Sequence, residues 1–245
     1  MIGMETNIVE LAISYRCQNR CNNCGTLSTQ APVDGALTTD DIKNFVDETV
    51  SCNHKWSCIT ITGGEPTLHP GFLDICEILT AYRKKFNQDT ILKFETNGNG
   101  IITEKMILEA HKIGFTVGLS FKKDNAINIH GECIPYVPVN NSPTDNSAQY
   151  VLGCNISKDC GVCRNYLGWF ECTPAGAQAR VFNYKPLAKT LADFLNLKDD
   201  EIYKAFFLHC RHCGHSWEQP RSCEQITSKT WQEALDSYAI RHKSL

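Results

Sequence analysis

The chain is short of charge bias, of methionine and of long apolar runs. Its 24 lysines and arginines against 27 acidic residues leave a net charge of −3, and it has three methionines in 245 residues. So weak a field recruits no polyanion, and nucleic-acid binding is not indicated. No apolar run approaches the roughly 18 residues a membrane span needs. The opening MIGMETNIVELAIS lacks the basic leader and long apolar core of a secretory signal, so a cytoplasmic location is expected. No histidine occurs before His54, and no repeat or low-complexity tract is present.

Cysteine is what the chain has in excess: 14 of them. A chain kept in a reducing compartment holds its thiols free, so clustered cysteines there point to metal sites or catalysis rather than disulfides. Cys17, Cys21 and Cys24 form one group, Cys154, Cys160, Cys163 and Cys172 a second, and Cys210, Cys213 and Cys223 a third. Cys52, Cys58, Cys76 and Cys133 are scattered and read as small buried apolar residues, Cys76 on the apolar stripe of a helix.

The first half alternates strands and helices. Strands are expected at Asn7–Ser14, Cys58–Thr62, Ile91–Gly98 and from Phe115, with a fifth at Ile134–Asn140. Helices are expected after Thr38, after Gly71 and from Thr103, with Thr103 as N-cap. Short connections imply parallel strands and right-handed crossovers: an α/β fold for which an open doubly wound sheet and a partial or full (β/α) barrel compete, the partial barrel being the one expected. Ligands bind such sheets at the carboxyl ends of the strands. The unusual residues fall there: Cys17–Cys24, Gly63–Pro66, Glu95–Gly98 and Ser120–Lys122. The alternation stops near Asn140. A core over residues 1–145 is expected, followed by a cysteine-rich hairpin-plus-helix extension over 146–245.

The first cysteines are spaced C-x3-C-x2-C. Structural zinc needs four closed ligands, and a ferredoxin cluster needs four cysteines. Three thiolates on a four-iron cluster leave one iron open, and an open iron binds a substrate. At this point the sequence resembles the radical S-adenosylmethionine (SAM) enzymes, on the C-x3-C-x2-C triad after strand one, GGEP at Gly63–Pro66 and TNG at Thr96–Gly98. The resemblance implies a [4Fe-4S] cluster on Cys17, Cys21 and Cys24, with SAM chelating the open iron. It implies that Gly63, Gly64, Glu65 and Pro66 meet the SAM amino group, Glu65 as a carboxylate on an ammonium, and that Thr96 and Asn97 lie beside SAM. Asn97 reads equally as part of an Asn-Gly turn. Ser120 and Lys122 face either the SAM ribose and carboxylate or solvent. Reductive cleavage of SAM then yields a 5′-deoxyadenosyl radical that abstracts hydrogen, with the electron coming from a donor such as flavodoxin or ferredoxin. One departure stands out: the residue before the third cysteine, commonly aromatic in this family, is Asn23.

In the same class, twitch domains hold one auxiliary iron–sulfur cluster with a cysteine, a glycine-turned hairpin, a second cysteine and a distant C-x2-C pair. Cys163, Cys172, Cys210 and Cys213 match that order, with Cys160 or Cys154 as substitutes for Cys163. Two C-x2-C pairs, Cys160/Cys163 and Cys210/Cys213, also suit zinc. The expected substrate is a small polar molecule of sugar or cyclitol type, dehydrogenated with the auxiliary cluster taking an electron, or epimerised with Cys223 returning hydrogen. A ribosomal-peptide maturase is the alternative reading. Without ferredoxin spacing after the triad, a glycyl-radical activating enzyme is disfavoured. A non-catalytic iron–sulfur or zinc module has no use for an open iron.

Overall fold

A computed structural model describes residues 6–21, 24–32, 35–120, 122–123, 127–128, 155–213 and 229–242. The expected fifth strand at 134–140 and Cys133, Cys154 and Cys223 lie outside these residues. Four strands, β1 (Ile8–Ser14), β2 (Cys58–Gly63), β3 (Ile91–Thr96) and β4 (Thr116–Leu119), are parallel neighbours in one sheet. Helices α1 (Thr39–Ser51), α2 (Phe72–Lys85) and α3 (Ile101–Lys112) connect them. A two-residue pair, β5 (Lys122–Lys123) and β6 (Ile127–Asn128), stands apart.

Beyond it come α4 (Ile156–Asp159), the hairpin β7 (Val162–Asn165) and β8 (Gly168–Phe170), α5 (Thr173–Phe182), α6 (Leu191–Leu195), α7 (Asp199–Cys210) and α8 (Lys229–Arg241). The hairpin joins the main sheet: β7 runs parallel to β1, and the strand order is β4-β3-β2-β1-β7-β8. Among the described residues β4 and β8 are the edges and the sheet is not closed.

Strand alternation gives the sheet two unlike faces. Val9, Leu11 and Ile13 with Ile59, Ile61, Leu92 and Phe94 pack under the helices in one fully buried cluster. Phe45, Trp56 and Trp169 form a triangle of rings with separations of 5.9, 5.9 and 6.0 Å, and Phe194 stacks on Trp169 at 5.2 Å. This aromatic cluster binds the hairpin and α6 into the same core. The other face carries Glu10, Thr60, Thr62, Lys93 and Glu95, with Glu10 in register with Thr60 on one side and Cys163 on the other.

Local signals explain some helix starts. Thr38 and Asp41 form a complete capping box before α1. The third helix begins two residues earlier than expected, after Gly100 at φ +99°. Thr103 is therefore inside it, buried, with its hydroxyl 2.9 Å from Thr67 Oγ1 instead of capping. Among the described residues no helix is long and apolar enough to cross a membrane.

Candidate active site

The loop after β1 carries Cys17, Cys21 and Cys24, and every described cysteine is free of disulfide bonds. Burial pushes the Cys17 thiol up to about 11, and the neighbouring Cys24, Glu65 and Cys21 add to the effect. Cys17 is thus within electrostatic reach of Cys21 and Cys24, a repulsion between thiolates that a cationic iron centre would relieve. The Cys24 thiol sits 3.2 Å from Thr26 Oγ1, and Gln30 Nε2 donates to the Cys21 carbonyl at 3.1 Å. Among the described residues no three His, Cys, Asp or Glu side chains converge tightly enough to hold a single ion. A four-iron cluster spreads its thiolates farther apart than one ion does, and the chemistry of the loop fits it: three thiolates from one short segment.

Two glycines set how close this loop comes to β2. Gly63 has φ +144°, and a Cβ there would lie 2.0 Å from the Ser14 carbonyl oxygen. A Cβ on Gly64 would lie 2.4 Å from the Arg16 carbonyl oxygen. In return Gly64 N donates to Ser14 O at 2.9 Å and Glu65 N to Arg16 O at 2.8 Å. The glycines therefore admit the chain that leads into Cys17. The sequence alone suggests room for a ligand at these positions; the neighbour that needs the room is backbone.

Glu65 is fully buried, and its carboxylate ties its own turn to the segment after β3. Oε1 accepts from Thr67 N at 3.2 Å, Thr67 Oγ1 at 2.7 Å and Thr96 Oγ1 at 2.8 Å, while Oε2 accepts from Asn97 N at 2.8 Å. Pro66 opens the single 3-10 turn Pro66–Leu68 that Glu65 caps. The Asn97 side chain reaches the cysteine loop: Nδ2 donates to Cys17 Sγ at 3.6 Å, and Oδ1 accepts from Gln18 Nε2 at 3.1 Å. Gln18 Nε2 also donates to Asn99 O at 2.6 Å, and Asn99 Nδ2 to Asn19 Oδ1 at 3.1 Å. The structure thus brings Gly63, Gly64, Glu65, Pro66, Thr96 and Asn97 together with the first triad. Ser120 continues the ladder at the end of β4, its N–H donating to Thr96 O at 2.8 Å. Lys122 lies in β5, two residues further on.

Sequence reasoning missed Arg180. This buried arginine of α5 lies 3.6 Å from the Tyr15 ring centroid and donates to Ala31 O at 2.5 Å and Thr26 O at 3.4 Å. It clamps the far side of the cysteine loop from 149 residues away, and nothing local signals it. Below the loop, on the polar face, Glu10 accepts from Thr173 Oγ1, and Lys93 pairs with Glu95. Burial pushes the Glu10 carboxyl up to about 7, against the Thr173 hydrogen bond, with Glu95 raising it and Lys93 lowering it.

The C-terminal cysteines divide. Cys172 is partly buried, and its thiol is pushed well up by desolvation and by Glu171, Cys213 and Cys210 beside it. Cys163 pairs with Phe170 in the hairpin and lies against Gly176, where a Cβ would approach its Sγ to 3.0 Å. Its ionised neighbours are Glu10, Arg164 and Glu171. Burial pushes the Cys160 thiol up to about 12, with Glu10, Asp159, Lys93 and Glu95 around it. Cys172 thus lies within electrostatic reach of Cys210 and Cys213, while Cys163, in β7, and Cys160, at the end of α4, share Glu10 as a neighbour, and Cys163 has Glu171 beside it as well.

Known proteins share these features. The Radical SAM superfamily model matches residues 11–167, more than half of the chain. An AdoMet-dependent heme synthase of Methanosarcina barkeri (strain Fusaro / DSM 804) is 30% identical over 128 residues, 51% of this chain and 34% of that protein. The match spans about a third of that relative's length. Two structures of BtrN share the fold. One, in complex with AdoMet and 2-DOIA, has a TM-score of 0.55 at 12% identity, covering 91% of this chain and 97% of that one. The other, in an open conformation, has a TM-score of 0.52 at 14% identity, covering 91% and 93%. With the triad, the two glycines and the buried Glu65 at one end of an open parallel sheet, and the superfamily match running from β1 through β7, the chain belongs to the radical SAM superfamily.

Proposed function

We propose that the chain is a radical SAM enzyme that oxidises a small polar substrate of sugar or cyclitol type, with a [4Fe-4S] cluster on Cys17, Cys21 and Cys24. The observation that carries this reading is the three-thiol loop clasped through Gln18 and Asn97 to the segment that Glu65 orders. When bound, the cluster and SAM supply the radical that removes a substrate hydrogen. The chain's own residues hold the loop, shape its approach to β2 and keep water from its buried side. The polar face below supports a hydroxylated substrate: Thr60, Thr62, Lys93, Glu95 and Glu10 offer donors and acceptors at successive strands. Ser120 stands at the rim on the β4 side, and Lys122 follows two residues later in the chain.

Glu65 offers SAM its remaining Oε2 lone pair and holds Asn97 against the loop. Changing Glu65 to glutamine puts an amide donor among four donors. SAM affinity should fall ten- to a hundredfold, about 1.4–2.8 kcal/mol, near the worth of one hydrogen bond to a charged group. Iron content should stay at the wild-type value. Isothermal titration with SAM on reconstituted protein measures this, and unchanged affinity overturns the role.

Residues 146–245 supply a second, twitch-like cluster through Cys172, Cys210 and Cys213. Loss of one hydrogen atom leaves a substrate radical one electron above the carbonyl, and a second cluster accepts that electron as the hydroxyl proton leaves. Supporting this are the electrostatic reach of Cys172 to the distant C-x2-C pair and the contact of Glu171 with His209, which holds the two segments together. Cys17→Ala/Cys21→Ala/Cys24→Ala protein isolates the second site. It should retain about four irons and a brown chromophore, and adding Cys210→Ala/Cys213→Ala should remove both and lower the melting temperature. A colourless protein holding one zinc would overturn the second cluster. Epimerisation with Cys223 as hydrogen donor is set apart by product analysis, since it yields no oxidised product.

A further inference from the structure

We propose that His209, through Nε2, is the fourth protein ligand of the second cluster, beside Cys172, Cys210 and Cys213; this rests on the second-cluster reading above. His209 Nδ1 lies 2.5 Å from Glu171 Oε1, and the two side chains are 3% and 0% exposed. A carboxylate accepts, so the imidazole proton sits on Nδ1 and the lone pair on Nε2. Among the described residues that Nε2 is fully buried and has no hydrogen-bond partner, and neither has Glu171 Oε2. A bare imidazole nitrogen in a dry interior costs free energy unless something binds it. A histidine that ligates a metal nearly always gives its other ring N–H to a carboxylate, and this pair has that arrangement.

Position agrees with the chemistry. Glu171 immediately precedes Cys172, and His209 immediately precedes Cys210. The carboxylate–imidazole contact therefore joins the two segments that carry these thiols. The other histidine here, His212, is accounted for by packing: its ring stacks on Phe182 at 4.7 Å and its carbonyl accepts from Trp231 Nε1 at 3.1 Å. Cys163, in β7, and Cys160, at the end of α4, both have Glu10 beside them, Cys163 together with Glu171. The fourth position assigned from spacing to Cys163, Cys160 or Cys154 thus passes to a histidine that spacing ranks low. Imidazole replaces thiolate in some iron–sulfur centres and raises their potential.

The test uses the full chain with Cys17→Ala/Cys21→Ala/Cys24→Ala, reconstituted with iron and sulfide, reduced and read by pulsed EPR. The expected spectrum shows a strongly coupled nitrogen. His209→Ala should lose that coupling and at least half the iron. His209→Cys should keep about four irons, lose the coupling and titrate at a lower potential. Cys154→Ala, Cys160→Ala and Cys163→Ala should each keep both iron and coupling. Iron without strong nitrogen coupling in the parent, or loss of the cluster in any of the three cysteine variants, overturns the ligand. A parent without iron overturns the second cluster itself, and with it this assignment. Circular dichroism separates ligand loss from unfolding.

Discussion

Protein carrying Cys17→Ala/Cys21→Ala/Cys24→Ala will release no 5′-deoxyadenosine when reconstituted anaerobically and given SAM and a strong reductant. Wild-type protein under the same conditions will release it, with or without substrate. The expected loss is complete because the three thiols come from one loop and no other described thiol is grouped with them: Cys172 lies within electrostatic reach of Cys210 and Cys213 instead. Single replacements should each suffice, since a cluster with two protein thiolates falls apart during reconstitution. Chromatography of the quenched reaction measures the nucleoside. Release by the triple variant above a no-protein control would overturn the assignment of the triad.

The second large effect is on the scaffold. Gly63→Ala should destabilise the protein by about 3–5 kcal/mol, from strain at positive φ and from a clash that side-chain motion cannot relieve. The clashing atom is the Ser14 carbonyl oxygen, backbone at the end of a central strand, at 2.0 Å. For a chain of this size that is a fall of about 10 °C in melting temperature. Iron uptake should fall too, because Ser14 leads directly into Cys17. Gly100 is the control: it also has positive φ, +99°, but nothing lies within 4 Å of a Cβ there. Gly100→Ala should cost about 1–3 kcal/mol of strain and leave iron uptake intact. Equal iron loss in both variants would show that strain, not the close approach, matters.

Legibility in the sequence followed the range of the interactions. β1, β2 and β3 could be read because apolar residues alternate or run together and stop at chemically odd residues. α1 announces itself with Thr38 and Asp41. By contrast, α5 was missed: TPAGAQARVF has a proline, a glycine and three alanines, and nearly every face of it is buried, so no amphipathic period exists to find. The stretch from Pro186 reads as the front of a helix, yet Ala188 bridges to Trp169 and α6 starts only at Leu191. The hairpin Val162–Phe170 was legible as a hairpin. Its place beside β1 was not, because a parallel neighbour carries no local mark of its partner. The site divides the same way. The triad and GGEP lie within single loops, so spacing shows them. Arg180 on Ala31 and Glu171 on His209 are pairings between distant segments, and only the fold brings them together.

The pairing of β1 with β7 also sets a timetable for synthesis. One edge of the first strand stays open until residues 162–165 leave the ribosome. At ordinary rates of elongation that interval is about 10–30 s. During it the nascent chain exposes a bare apolar strand edge, the kind of template that captures other unfinished chains. Arg180 arrives later still, so the cysteine loop stays unclamped on one side until α5 has emerged. Iron delivered before then meets a half-built cradle. Loading of the proposed cluster is therefore expected to follow completion of the polypeptide.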